Sequence, residues 1–276
     1  RYSTDAQWQV PHFEKMLYDQ ALMAIAYTEG YQATGKEEYA RVSCEILDYV
    51  LRDMTSPQGG FFSAEDADSE GEEGKFYVWT PEQVRALLTP QGYAVAEKHY
   101  GLDQPANFEG RYWHLNVVQG LSEVASRLGL SEKVAQQLLN SDRSKLFAAR
   151  EQRIRPGRDE KVLVSWNALM VKGMARAARM FGRPDWLASA FAALDFIRAE
   201  LWRDGRLLAV HQDGQSRLNA YLDDYAFLLD ALLELMQSKF RVEDLHFAEA
   251  LADVLLEQFE DKKLGGFFFT SNDHEP

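Results

Sequence analysis

Cysteine is almost missing from the sequence: Cys44 is the single one in 276 residues. One thiol forms neither an internal disulfide nor a CxxC redox pair. With Val42, Ile46 and Leu47 around it, Cys44 reads as a small buried group on a helix. A reducing, cytoplasmic setting is the expectation. Positive charge is also short. Lys and Arg number 30 against 43 Asp and Glu, for a net charge of −13. Such a chain repels nucleic-acid phosphates and anionic lipid surfaces, so neither is expected as a partner. No apolar run approaches the roughly 20 residues of a membrane span, and no signal peptide is recognisable. The sequence opens at Arg1 and stops at Pro276, and both ends read as cut. There is no Gly-rich phosphate loop, no HExxH zinc motif and no GxSxG elbow. No cofactor and no metal are therefore expected.

What is present is a repeat. Three stretches, Met16 to Phe62, Ser165 to Leu208 and Tyr221 to Phe269, share one plan. Each opens with a polar residue inside an apolar helical pattern: Asp19, Asn167 and Asp224. A long helix follows, then a short break, then a second helix with apolar residues at helical spacing. The breaks align at Gly35–Tyr39, Gly182–Trp186 and Arg241–Leu245. Pro184 suits a first helical position, where its missing N–H costs nothing. Each copy ends in a Gly-containing turn with an apolar run: Gly59-Gly60-Phe61-Phe62, Asp204-Gly205-Arg206-Leu207-Leu208 and Gly265-Gly266-Phe267-Phe268-Phe269. Helix-pair repeats of about 50 residues predict an all-α fold, an (α/α) toroid with short β-hairpins at one end. Residues 1–276 are expected to form a single such domain, a partial six-hairpin barrel.

The middle is less regular. Phe76-Tyr77-Val78-Trp79 reads as a strand pairing back on Phe61-Phe62. Thr80-Pro81-Glu82-Gln83 is a helix start with a capping box. Helical pattern returns at Leu121–Leu128 and Glu132–Glu151, and Arg150–Arg158 reads as a loop. In helix-pair repeats the turns and the first-helix starts share one end. That end is expected to gather His12, Glu14, the Glu65–Glu73 loop, Trp166, Asn167, Tyr221, Asp223 and Asp224.

Four segments carry a family resemblance. They are Val10-Pro11-His12-Phe13-Glu14-Lys15-Met16-Leu17-Tyr18-Asp19, Gly59–Ser69 with its Ala64-Glu65-Asp66-Ala67-Asp68, Lys161–Ala168, and Tyr221-Leu222-Asp223-Asp224-Tyr225-Ala226. In this order they resemble signatures of the spermatogenesis-associated protein 20 family, across essentially the whole chain. The resemblance implies a barrel similar to the six-hairpin glycosidases and N-acylglucosamine 2-epimerases. It also implies an N-terminal thioredoxin-like domain, which this sequence does not contain, and further helix pairs at either end. Apolar helix faces exposed at such ends would favour a homo-oligomer.

Candidate chemistry follows from residue types. On one helix, His12, Lys15 and Asp19 would share a face. A histidine titrates near neutral pH and suits proton removal beside a carbonyl, whereas a hydrogen bond to a neighbouring helix is its structural alternative. Glu65, Asp66 and Asp68, set against Asp223 or Asp224, would suit glycoside hydrolysis, while Glu70, Glu72 and Glu73 read as a solvated acidic turn. A calcium loop is a third option for Asp66, Asp68 and Gly71, although Tyr77 stands where the closing Glu belongs. Asp223 and Asp224 also suit a helix start as simple caps. Trp166 would stack on a sugar ring or plug the barrel, and His211 and His246 show no partner pattern. The leading expectation is a sugar epimerase or isomerase. His12 would be its base, with Glu65, Asp224 and Asp19 positioning hydroxyls. Glu14, Lys15, Asp66, Asp68, Trp166, Asn167, Tyr221 and Asp223 would bind the sugar. A hydrolase and a non-catalytic scaffold are the alternatives.

Overall fold

Residues 2–273 are described by a computed structural model. In chain order the helices are α1 (Leu17–Thr34) and α2 (Glu37–Asp53), then α3 (Pro81–Leu87), α4 (Pro90–His99), α5 (Leu121–Arg127) and α6 (Glu132–Arg150), then α7 (Val164–Phe181), α8 (Pro184–Glu200), α9 (Leu222–Ser238) and α10 (Val242–Gln258). Their contacts divide the chain into two compact units. One joins the residues up to Glu14 with Asp66–Gly157, and the other joins Lys15–Glu65 with the residues from Arg158 onward.

The second unit holds the repeat as three helix pairs: α1 with α2, α7 with α8, and α9 with α10. The first break forms because Gly35 takes φ +67° and returns its N–H to Tyr31 O. Gly182 repeats this at φ +65°, with its N–H on Ala178 O. A left-handed cap of this kind costs glycine no Cβ clash. Pro184 then opens α8, as expected.

The first helices stack side by side, with α7 between α1 and α9. Leu17, Ala21, Met170, Met174, Leu228 and Leu232 are wholly buried in one continuous core. Each such large side chain contributes about 1.5–3 kcal/mol. The small residues bring the helices close. A Cβ on Gly173 would sit 3.3 Å from the Ala21 carbonyl oxygen.

Each pair closes in the same way. The residue after the second helix accepts, on its carbonyl, an N–H from the run beyond the turn: Phe62 to Met54, Leu208 to Leu201 and Phe268 to Phe259. Three short strands then lie side by side, β1 (Lys15–Met16), β2 (Ala64–Glu65) and β5 (Arg158–Asp159). The whole segment 66–157 is thus an excursion between two neighbouring strands, which is why the repeat falters there. The last sheet contains β6 (Val162–Leu163), β7 (Trp202–Arg203), β8 (Arg206–Gln212) and β9 (Gln215–Asn219).

The first unit contains α3–α6 and a two-stranded hairpin of β3 (Asp68–Ser69) and β4 (Glu72–Glu73). Its core gathers Trp79, Val84, Tyr93, Leu139 and Leu146. The Thr80–Gln83 capping box is present in both directions. The strand expected at Phe76–Trp79 is not formed. Gly74, at φ +71°, starts a turn that takes the N–H groups of Tyr77 and Val78. In place of a strand partner, the Arg153 guanidinium donates to the carbonyls of Phe76 and Val78 at 2.9 and 2.7 Å. Trp79 bridges Trp113 instead of the Phe61 region.

The second helices are tied by a recurring ionic clamp. Arg183, just before α8, reaches Asp48 on α2 at 2.7 Å. Arg241, just before α10, reaches Asp195 on α8 at 2.8 Å. Asp48 and Asp195 lie equally far into their helices. Arg241 also serves Asp244, whose side chain is fully buried. Replacing Arg241 with Ala therefore weakens the charge balance of a buried carboxylate, and should cost about 2–4 kcal/mol. Removing the half-exposed Asp48 carboxylate (Asp48→Asn) should cost under about 1 kcal/mol. Urea unfolding of both variants checks this ordering.

Candidate functional site

The residues singled out in the sequence fall into both units. His12, Glu14, Asp66 and Asp68 belong to the first; Lys15, Asp19, Glu65, Trp166, Asn167, Tyr221, Asp223 and Asp224 belong to the second. Each group is described by itself.

In the first unit, residues 11–14 are not helical, and α1 begins only at Leu17. The single helical face joining His12, Lys15 and Asp19 does not exist, because Lys15 and Met16 pair as a strand with Glu65 and Ala64. His12 instead finds carboxylates. Its Nδ1 lies 2.9 Å from Glu73 Oε1, and its Nε2 lies 3.4 Å from Glu14 Oε2. The ring stacks on Tyr2 with centroids 4.9 Å apart. A carboxylate only accepts, so Nδ1 carries the proton toward Glu73. Glu73 keeps a partly solvated place in the acidic turn, and the pairing with His12 adds to that reading. Glu70 and Glu72 do face solvent, bound to Lys75. The signal lay in Glu70-Gly71, both at positive φ, which make a two-residue hairpin turn. That turn sets Glu73 opposite Asp68. Asp66 accepts the Asp68 N–H at 3.2 Å. Among the described residues, no group of three or more His, Cys, Asp or Glu side chains is placed to hold a metal ion.

In the second unit the strand register sets Glu65 directly between Lys15 and Arg158. Directly opposed strand residues sit with Cβ atoms about 5 Å apart, so one buried carboxylate stands between two cationic residues. Trp166 and Tyr18, at the starts of α7 and α1, meet edge to face at 4.8 Å and remain partly exposed. Tyr221 stacks on Phe269 at 5.3 Å. Asp223 accepts the Asp224 N–H at 3.1 Å.

Asn167 is fully buried, and its amide is consumed by backbone. Oδ1 accepts Phe61 N–H at 2.7 Å, while Nδ2 donates to Phe61 O at 3.0 Å and Leu163 O at 2.9 Å. Its counterpart is not Asp224 but Tyr225, whose hydroxyl accepts Leu207 N–H at 2.8 Å. Phe61 and Leu207 hold the same place in their turns. The expected equivalence of Asp19, Asn167 and Asp224 is thus off by one residue at Asn167. Asp19, Trp166 and Asp224 are level.

Asp224 is 3% exposed. Its oxygens accept Ser165 N–H and Tyr221 N–H, both at 2.9 Å. Burial outweighs these donors and pushes the carboxyl up to about 6 from its ordinary 3.8, with the Asp223 charge adding to the rise.

No family model matches the chain. Spermatogenesis-associated protein 20 of Homo sapiens is 37% identical over 302 residues, covering 97% of this chain and 38% of the relative. The Mus musculus protein of the same name gives the same identity and coverage. Among solved structures, an unsaturated glucuronyl hydrolase from Bacillus sp. GL1 aligns with TM-score 0.52 and 14% identity, over 99% of this chain and 54% of that one. This likeness shows the (α/α) barrel fold.

Two outcomes test the buried polar groups. Asn167→Ala strands both backbone groups of Phe61 and should cost about 2–5 kcal/mol in urea unfolding, at about 1–3 kcal/mol per orphaned group. A carboxyl raised in the folded state lends stability that is full below its unfolded value of 3.8 and is lost as pH rises through about 6. The stability gap between wild type and Asp224→Asn should therefore shift against wild type by up to about 3 kcal/mol between pH 4 and 6, then stay flat.

Of the curated relatives found, the first ones span far more sequence than this chain, which covers 38% of their length; over the part it covers, the chain belongs to the spermatogenesis-associated protein 20 family.

Proposed function

We propose that the chain is part of a carbohydrate-active protein of isomerase or epimerase type, with His12 as its proton-transfer group. The observation that supports this reading is the imidazole held between Glu73 and Glu14 and stacked on Tyr2. With Nδ1–H fixed on Glu73, the neutral ring presents Nε2 as a base. On taking a proton, the imidazolium gains a second carboxylate in Glu14. A positioned base of this kind removes the proton beside a sugar carbonyl to give an enediol and returns it to the former carbonyl carbon, while the neighbouring hydroxyl proton passes to the carbonyl oxygen, which interconverts an aldose and a ketose. An epimerisation needs the proton returned from the opposite face and so requires a second donor. Asp66 and Asp68 in this unit are proposed to bind hydroxyls. In the second unit, Trp166 offers a face for a sugar ring. Lys15, Asp19, Tyr221 and Asp223 offer polar contacts.

A hydrolytic reading has its own support. Asp224 titrates near 6, as a general acid does. Glu65 or Asp223 would supply the second carboxylate, and the barrel fold is shared with the unsaturated glucuronyl hydrolase. The two readings differ in product. An isomerase incorporates solvent deuterium next to the sugar carbonyl, whereas a hydrolase releases reducing ends. With full-length protein and a sugar panel, deuterium incorporation should fall about 10²–10⁴-fold in His12→Asn, the usual worth of a general base. Glu73→Gln should lower it less. Exchange that survives His12→Asn unchanged removes the base assignment. Reducing ends without exchange favour the carboxylates. Neither product, with biological function intact in His12→Asn, favours a scaffold.

A further inference from the structure

A cleft of about 950 Å³ opens in the second unit between the Ser56–Phe62 turn, α8 and the β8–β9 hairpin. Among its walls are Phe62, Arg158, Glu160, Phe196, His211 and Asp213. The sequence gives His211 no partner pattern, but the fold does. The Asp213-Gly214 turn, both residues at positive φ, folds β9 back so that Ser216 pairs with His211.

The hydrogen bonds there settle the tautomer. Ser216 Oγ lies 2.7 Å from Glu200 O and 2.9 Å from His211 Nδ1. The carbonyl only accepts, so the single hydroxyl proton goes to Glu200. Ser216 Oγ must then accept from Nδ1–H. In the neutral ring Nε2 is left with a bare lone pair, and no described residue hydrogen-bonds it. The ring is braced edge-on by Phe196 at 5.1 Å.

The charges narrow the ligand. Arg158 is engaged by Glu160 at 2.5 Å and lies over the Phe62 ring at 4.2 Å. Its charge is answered locally, as that of Glu200 is by Arg203 at 3.3 Å, and the Asp213 carboxylate leaves this wall acidic. Anions are repelled. What fits is an uncharged ring whose hydroxyls meet the acceptors. The volume suits one or two such rings, within the range of about 300–1,000 Å³ for small-ligand sites.

We infer that this cleft is a binding subsite for neutral sugar units, with a ligand hydroxyl donating to His211 Nε2. The site needs no reacting group and does not depend on His12.

The test uses saturation-transfer NMR and titration of the whole protein with maltose and cellobiose. Binding of at least one disaccharide is expected. His211→Phe, which keeps the packing on Phe196, should weaken it by about 10-fold, the size of one hydrogen bond of about 1.4 kcal/mol. Nitrogen-15 NMR should show His211 protonated at Nδ1, and Ser216→Ala should release that preference. The inference is overturned if neither sugar binds, if His211→Phe binds as wild type while folded by circular dichroism, or if His211 carries its proton on Nε2.

Discussion

The second unit depends on how each Gly turn disposes of its backbone. A tight turn after a second helix leaves an N–H facing the interior, where an unmet donor costs about 1–3 kcal/mol. The next first helix supplies the acceptor. Asn167 takes the N–H of Phe61, and Tyr225 takes that of Leu207. Asp224 does the same for Ser165, at the start of α7. Stacking is thereby specified as well as driven: apolar burial favours any contact between helices, but only one register brings these acceptors to these donors. The cost is that conspicuous polar residues at the first-helix starts are largely spent on architecture. Groups free for chemistry have to be sought among their neighbours, such as Trp166 and Asp223.

The outer layer uses charge for the same end. Arg183 with Asp48, and Arg241 with Asp195, repeat one clamp at one place. The two differ in depth. Arg183 lies over the indole of Trp186, whose N–H also reaches Asp48. Arg241 lies over Phe191 and shares the buried Asp244 with Arg198. A solvated pair sets register at little energetic consequence, whereas a pair around a buried carboxylate cannot lose a member without exposing an unmet charge to low dielectric. Repetition of sequence therefore does not mean repetition of energy.

What could be read from the sequence was local. Gly35, Gly182, Pro184 and the Thr80–Gln83 box act within a turn of helix, and each appears where expected. The repeat was legible because its glycines and apolar runs recur together. Three matters were not legible, and each depends on distant pairing. The Val10–Asp19 segment carries helical spacing, yet Lys15 and Met16 are drawn into a strand by Glu65 and Ala64. Glu73 looked like one more charge in an acidic turn until the hairpin carried it to His12. Asn167 was matched with Asp224 on polarity alone, whereas its actual counterpart is a tyrosine, since any side-chain oxygen at that position can accept the N–H.

The two histidines show how a partner's chemistry, rather than the imidazole itself, sets what a ring can do. His12 faces carboxylates on both nitrogens. Each of these carboxylates can accept a proton that the ring donates. His211 faces a hydroxyl whose own proton is already committed to a carbonyl. That relay orients the neutral ring. One environment suits proton transfer and the other suits holding a hydroxyl. The distinction follows from counting protons on acceptors, and it is the reason the same side chain is proposed for reaction in one unit and for recognition in the other.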